Sequence, residues 1–234
     1  MKPSKNPKVI IIMGPPGSGK GAQAQLLSER LDLFQWETSS IIGRIIEQAK
    51  KGEFVKIEGK KYFFEEQEKI RQKGLLWDGR FIFYFTKKKI EELAEEMKGI
   101  VISGSPRNIE EGRRLISLLK KLYGIKNIIV ILLKLTPKET LWRISHRREC
   151  ELDTHSILYT KETKKLTRCP LDGSRLMHRK DDNPEIIKTR LEEYGKRTYP
   201  LLDFFRKQGL KVKEVNGEQP VVDVFNAIIT NIAH

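Results

Sequence analysis

The stretch "VIIIMGPPGSGKGAQ", Val9 to Gln23, constrains the fold more than any other part of the chain. Its apolar run, Val9–Met13, belongs in a strand covered on both faces, as in the middle of a parallel sheet. Directly after it come four glycines, two prolines and a lysine within "GPPGSGKG". Those residues would break a strand or a helix interior, so the chain must turn there. A helix is then predicted over Gly19–Leu31, with Ala24, Leu26, Leu27 and Leu31 at helical spacings. Glycines between a strand and a helix let the backbone approach a ligand closely. Consecutive N–H groups then converge on an anion at the positive end of the helix. Lys20 adds an ammonium for phosphate oxygens. An ordinary glycine-rich turn needs no lysine at that place, and the fixed strand–loop–helix setting predicts phosphate binding by Gly14, Pro15, Gly17, Ser18, Gly19, Lys20, Gly21 and Ala22.

Further strands follow at intervals. "IVI" at Ile100–Ile102 ends at "SGSPR". "NIIVILLKL", Asn127–Leu135, ends at "TPKE", where Thr136 can cap and Pro137 can open a helix. "LKVKEV", Leu210–Val215, ends at "NGEQP" and leads into the amphipathic "VVDVFNAIITNI". Strands alternating with helices imply a parallel sheet with ligands beyond its C-terminal edge, where glycine, proline and charge gather here. Two stretches interrupt the alternation. Residues 38–77 read as mainly helical, without a convincing core strand, and residues 149–181 are short, polar and turn-rich, like a small β lid. The expected fold is α/β: five parallel strands flanked by helices, a core of residues 1–37, 78–148 and 182–234, and two insertions.

The 234 residues suit one main domain with insertions. No apolar stretch approaches the roughly 20 residues that span a bilayer, and the first strand is a poor secretory signal. Two cysteines do not make a disulfide framework, so a reducing, cytoplasmic setting is expected. A net charge of +14 suits either a nucleic-acid binder or a protein whose substrates carry several phosphates. The placement of the arginines favours the second, with no nucleic-acid or membrane partner.

The usual nucleotide-binding loop has Ser or Thr after its lysine, whereas this chain has Gly21. With proline before the second glycine, the loop resembles that of the adenylate kinase family, the nucleoside monophosphate kinases. "SGSPRN" resembles that family's "DGFPR", and "LWRISHRR" its arginine-bearing helix before the lid. "RKDD" resembles the lid exit, "TRLEEYGKRTYPL" the helix after it, and "NGEQP" the last adenine-side turn. The resemblance covers nearly the whole chain. It implies a P-loop kinase that moves the γ-phosphoryl of ATP, with Mg2+, onto a nucleoside monophosphate, working as a monomer. The insertion at 38–77 would bind the monophosphate, and 149–181 would close as a lid.

By the same resemblance, Arg44 and Arg107 hold the acceptor's phosphate, while Arg143, Arg147, Arg179 and Arg190 clamp the transferring group and the ATP phosphates. Planar guanidinium forks suit that task. Arg143 and Arg147 are expected four apart on one helix face. Asp181 and Asp182 match the lid-exit acids, Gly217 and Gln219 the adenine-side turn. Ser39, Leu76, Trp77, Gly104 and Glu111 fall in the acceptor pocket.

Several residues depart from the pattern. Ala22 stands for a threonine, Ile41 for an acid, and Ser103 for the aspartate that orients the water shell of magnesium. Glu111 replaces a glutamine that reads the acceptor base; a carboxylate only accepts, so it would suit a base edge rich in N–H groups. Its bland alternative is a solvent-facing place on a charged helix. Cys150 and Cys169 are each followed three residues later by an aspartate, Asp153 and Asp172, where some members carry zinc-binding Cys-x-x-Cys pairs. A structural Zn2+ on those four residues, with His155 competing, stands against a metal-free lid pinned by hydrogen bonds. Ser103 and Ala22 also motivate a catalytically weakened nucleotide sensor, and the net charge motivates a P-loop protein that binds nucleic acid.

Overall fold

A computed structural model describes residues 8–152, 156–157, 163–178 and 183–233. The expected sites Asp153, His155, Arg179, Asp181 and Asp182 lie outside the described residues. The chain begins with β1 (Val9–Met13) and α1 (Lys20–Leu31), then β2 (Leu33–Glu37) and α2 (Thr38–Gln48). A hairpin of β3 (Phe54–Ile57) and β4 (Lys60–Phe63) follows, then α3 (Phe64–Gln72) and α4 (Gly79–Glu95). Next come β5 (Gly99–Ser103), α5 (Ile109–Tyr123), β6 (Ile128–Lys134) and α6 (Pro137–His146). The short strands β7 (Arg148–Cys150), β8 (Ser156–Ile157) and β9 (Leu176–Met177) form a small antiparallel sheet. The chain closes with α7 (Pro184–Glu193), α8 (Leu201–Lys207), β10 (Lys211–Asn216) and α9 (Val221–Ala233).

The main sheet is five-stranded and parallel, in the order β10-β6-β1-β5-β2. Every residue of β1 is buried, because helices cover both faces of the central strand. Alternate residues serve two cores. Val9, Ile11 and Met13 pack with Ile100, Ile102, Val130 and the inner faces of α4, α5 and α8. Ile10 and Ile12 pack with Val101, Ile131, Ala24 and Leu27 of α1, and Val224 and Ile228 of α9. The second face therefore carries α1, the helix that the glycine loop introduces.

The sequence reading placed four of the five strands; the fifth is β2, "LFQWE", in which only Trp36 is buried. An edge strand with one neighbour needs no continuous apolar run, which is why its pattern was illegible. The helical reading of residues 38–77 holds for α2 and α3, and no strand of the main sheet lies there; the hairpin between them was not foreseen. Between α2 and α3 runs the β3–β4 hairpin, turned at Glu58 and Gly59, both with positive φ (50° and 84°). Ile42, Ile46, Ile57, Tyr62, Phe64, Trp77 and Phe81 make a separate small core there. No described helix is long and apolar enough to cross a membrane.

Candidate active site at the C-terminal edge of the sheet

The loop after β1 is built on its glycines. Gly14 has φ +152°, and a Cβ there would lie 2.6 Å from Ser18 Oγ and 2.8 Å from the Leu133 carbonyl oxygen. Gly17 and Gly19 have φ of 78° and 81°, and Gly19 caps α1 in the left-handed region. Lys20 folds back across this loop. Its ammonium donates to the carbonyls of Gly14 (3.0 Å) and Pro15 (2.7 Å) and to Ser18 Oγ (3.2 Å). Burial, then the positive fields of Arg107 and Arg147, with Arg190 adding less, depress its pKa to about 7, against an attraction from Glu37.

Cations from four separate elements thus act on one point. Lys20 opens α1, Arg107 lies between β5 and α5, Arg147 follows α6, and Arg190 is on α7. Arg107 is held through both its backbone and its guanidinium. Its Nε donates to the Gly104 carbonyl (2.7 Å) and its Nη2 to Ser39 Oγ (2.8 Å), which joins two residues expected in the acceptor pocket. Its carbonyl accepts from Thr198 Oγ1 (2.8 Å) and its N–H donates to Glu111 Oε2 (2.9 Å).

Glu111 does not face solvent, and both its carboxylate oxygens are engaged within the protein. It is 2% exposed, and its other carboxylate oxygen accepts from the Ser105 hydroxyl. Burial, partly offset by those two hydrogen bonds and by Arg107 and Arg197, raises its pKa to about 7. The glutamate braces the loop that carries Arg107.

The other expected residues are distributed as follows. Arg143 is mostly buried on α6 and donates through Nε to Glu139 (2.6 Å). The helix ends at His146, so Arg147 lies past its last turn in extended backbone; the shared helix face is corrected. Arg44 is exposed on α2 and forms no ion pair among the described residues. Trp77 is in the core of the insertion, its indole N–H donating to the Gln67 carbonyl (2.9 Å), while Leu76 is half-buried beside it. Gly21 and Ala22 are half-buried in the first turn of α1. Gly217 is buried against Leu135 and donates to the Lys134 carbonyl (2.9 Å), and Gln219 is exposed. Glu218, between them, accepts from the Thr136 N–H (2.6 Å) and ties that turn to the start of α6. In the small sheet, Cys150 and Cys169 are buried free thiols. Cys150 Sγ donates to Asp172 Oδ2 at 3.0 Å, and ligand atoms of all three residues lie within 4.8 Å of one another.

Sequence reasoning missed Glu37, Thr198 and Glu218. Glu37 had one available signal, an acid ending a strand just before "TSS"; Thr198 and Glu218 act through backbone groups distant in sequence and left none.

Comparison with known proteins agrees with this geometry. The adenylate kinase family profile matches residues 12–210. The adenylate kinase of Chlamydia pneumoniae is 34% identical over 221 residues, 94% of this chain and 95% of its own. That of Clostridium botulinum (strain Langeland) is 32% identical over 223 residues, with the same coverage. That of Methanothrix thermoacetophila is 29% identical over 219 residues, again 94% and 95%.

Proposed function

The chain belongs to the adenylate kinase family and is a phosphotransferase, and we propose that it moves the γ-phosphoryl of ATP reversibly onto a nucleoside monophosphate, AMP first among the acceptors. The observation that carries this is the convergence of Lys20, Arg107, Arg147 and Arg190 beside a glycine-built anion cradle. Phosphoryl transfer asks for two nucleotides in line, exclusion of water, and positive charge where the PO3 group passes. Lys20 and the loop N–H groups would hold the donor phosphates. Arg107, braced by Glu111, Thr198 and Ser39, would hold the acceptor phosphate together with Arg44. Arg143, Arg147, Arg179 and Arg190 would surround the migrating group, with residues 38–77 and 149–181 closing over it in a monomeric enzyme.

Donors around the loop suit magnesium, a hard cation that keeps much of its water. The Ser103 hydroxyl is buried with no hydrogen-bond partner among the described residues, and Ser18 Oγ accepts from Lys20 and lies within the cradle. Both are oxygens for a metal's water shell. When bound, the ion would neutralise phosphate charge. The lid base suits a structural Zn2+ on Cys150, Cys169 and Asp172, with Asp153 as fourth ligand; soft thiolates and tetrahedral geometry favour zinc there. Elemental analysis of protein purified without added metal should give close to one zinc per chain. Less than about a tenth of an equivalent would remove zinc from this account.

The functional test is a panel of AMP, CMP, UMP and GMP with ATP and magnesium, read by diphosphate formation. The proposal expects turnover with AMP at least equal to any other. No diphosphate with any acceptor would leave only a nucleotide-binding role.

A further inference from the structure

Glu37 is a carboxylate whose field reaches Lys20, and its place in the sheet is specific. Glu37 ends β2 and pairs in register with Ser103, the last residue of β5. Residues paired across parallel strands project from the same face, about 5 Å apart. Ile12 is paired with Ser103 on its other side and packs in the α1 core, so the three side chains stand on the face that carries α1. Gln35, two residues before Glu37, fixes that orientation independently. Its side-chain amide reaches the Gly21 carbonyl in the first turn of α1 (3.5 Å), while Trp36 between them packs in the opposite core. Glu37 therefore points past the sheet edge toward the start of α1, where Lys20 lies.

Its bonding leaves capacity for a ligand. One carboxylate oxygen accepts from the Ser40 hydroxyl, and the side chain does not cap α2 although Glu37 is the capping residue. The Lys20 ammonium donates to carbonyls and to Ser18, not to this carboxylate, although it feels its field. Beside it, the Ser103 hydroxyl is buried without a partner among the described residues. A divalent ion held by nucleotide phosphates ordinarily takes one or two protein carboxylates as well. On this chain Ser103 cannot supply one, and Glu37 is one strand away on the same face.

We propose that Glu37 supplies the carboxylate that holds the hydrated divalent cation of the bound nucleotide, with the Ser103 hydroxyl beside it. The inference rests on the phosphoryl-transfer reading, since it needs a nucleotide in the loop. The register of the two strands sets the Glu37 carboxylate beside the Ser103 hydroxyl at the same edge of the sheet.

Mn2+ titration followed by electron paramagnetic resonance, with the full chain and the β,γ-imido analogue of ATP, reads the site without turnover. Glu37→Gln should weaken Mn2+ binding to the protein–nucleotide complex about 10-fold or more, while metal-free binding of the analogue, followed by calorimetry, is unchanged or tighter. Adding Ser103→Asp to Glu37→Gln should restore most of the Mn2+ affinity. Affinity within twofold of wild type in Glu37→Gln overturns the proposal, as does a double variant no better than the single one. Failure of the wild-type protein to bind the analogue at all would instead overturn the phosphoryl-transfer reading beneath it.

Discussion

Replacing Glu111 by glutamine should stabilise the protein increasingly as pH rises. The carboxylate is buried, takes the Ser105 hydroxyl on one oxygen and the Arg107 N–H at 2.9 Å on the other, and titrates at about 7. Its folded-state pKa is raised above that of the unfolded chain, so the fold prefers the protonated form. Stability from this group is complete below the unfolded pKa and is lost as pH rises through about 7. The gap from an ordinary glutamate corresponds to about 3 kcal/mol above neutral pH. Glutamine cannot ionise, yet its oxygen can accept from the Arg107 N–H and its amide can donate to Ser105 Oγ, so both bonds survive. Urea unfolding of the nucleotide-free protein should therefore show the advantage of Glu111→Gln growing by about 2 kcal/mol between pH 5 and pH 8. Turnover with AMP should stay near wild type, because the loop keeps its brace. Glu111→Ala should be destabilised throughout, by about 1–3 kcal/mol for each buried donor left without a partner. A stability difference independent of pH would refute the ionisation argument, and a changed acceptor preference in Glu111→Gln would return the residue to the base edge.

Lys20, held at about 7 by burial and neighbouring arginines, should gain protons when phosphates bind. Calorimetry at pH 7.5 in buffers of different ionisation heats should show wild type taking up roughly three-quarters of a proton more than Lys20→Met; equal uptake would contradict the shift. Lys20→Ala and Arg107→Ala should each lower turnover by ~100-fold or more with circular dichroism unchanged, and near-normal rates in both would remove them from the chemistry. Gly14→Ala should cost about 2 kcal/mol or more in urea unfolding, because its Cβ meets Ser18 and the Leu133 carbonyl at a φ of +152°. Gly21→Ala, with open space around the added carbon, should be neutral or mildly stabilising.

What the sequence disclosed and what it hid follow one division. β1, β5, β6 and the glycine loop were legible because each is written in consecutive residues: an apolar run, then the residues a tight turn demands. β2 was not, since an edge strand with Trp36 as its one buried residue carries no such run, and with β2 unread Glu37 could not be assigned to a sheet edge. The burial of Glu111 was illegible for a related reason. Its charged surroundings in "EEGRR" gave no sign that Ser105 and the Arg107 N–H, four to six residues earlier, fold back onto it. The end of α6 before Arg147 lacked a glycine or proline to announce it.

The candidate site itself belongs to both classes. Its cations are spread from Lys20 to Arg190, and a parallel sheet brings such residues together because every strand delivers its following loop to the same edge. Arginines at loop starts are visible in sequence; the balance of charge among them is not. Burial above all, and then the repulsion of the arginines gathered around it, holds the Lys20 pKa down to about 7. A polyphosphate would relieve that repulsion. Glu37, whose field opposes that of the arginines at Lys20, stands where a second positive charge, a nucleotide-borne metal, would arrive. Electrostatics that disfavour gathered cations are thus the same electrostatics that would select a metal-bearing polyphosphate.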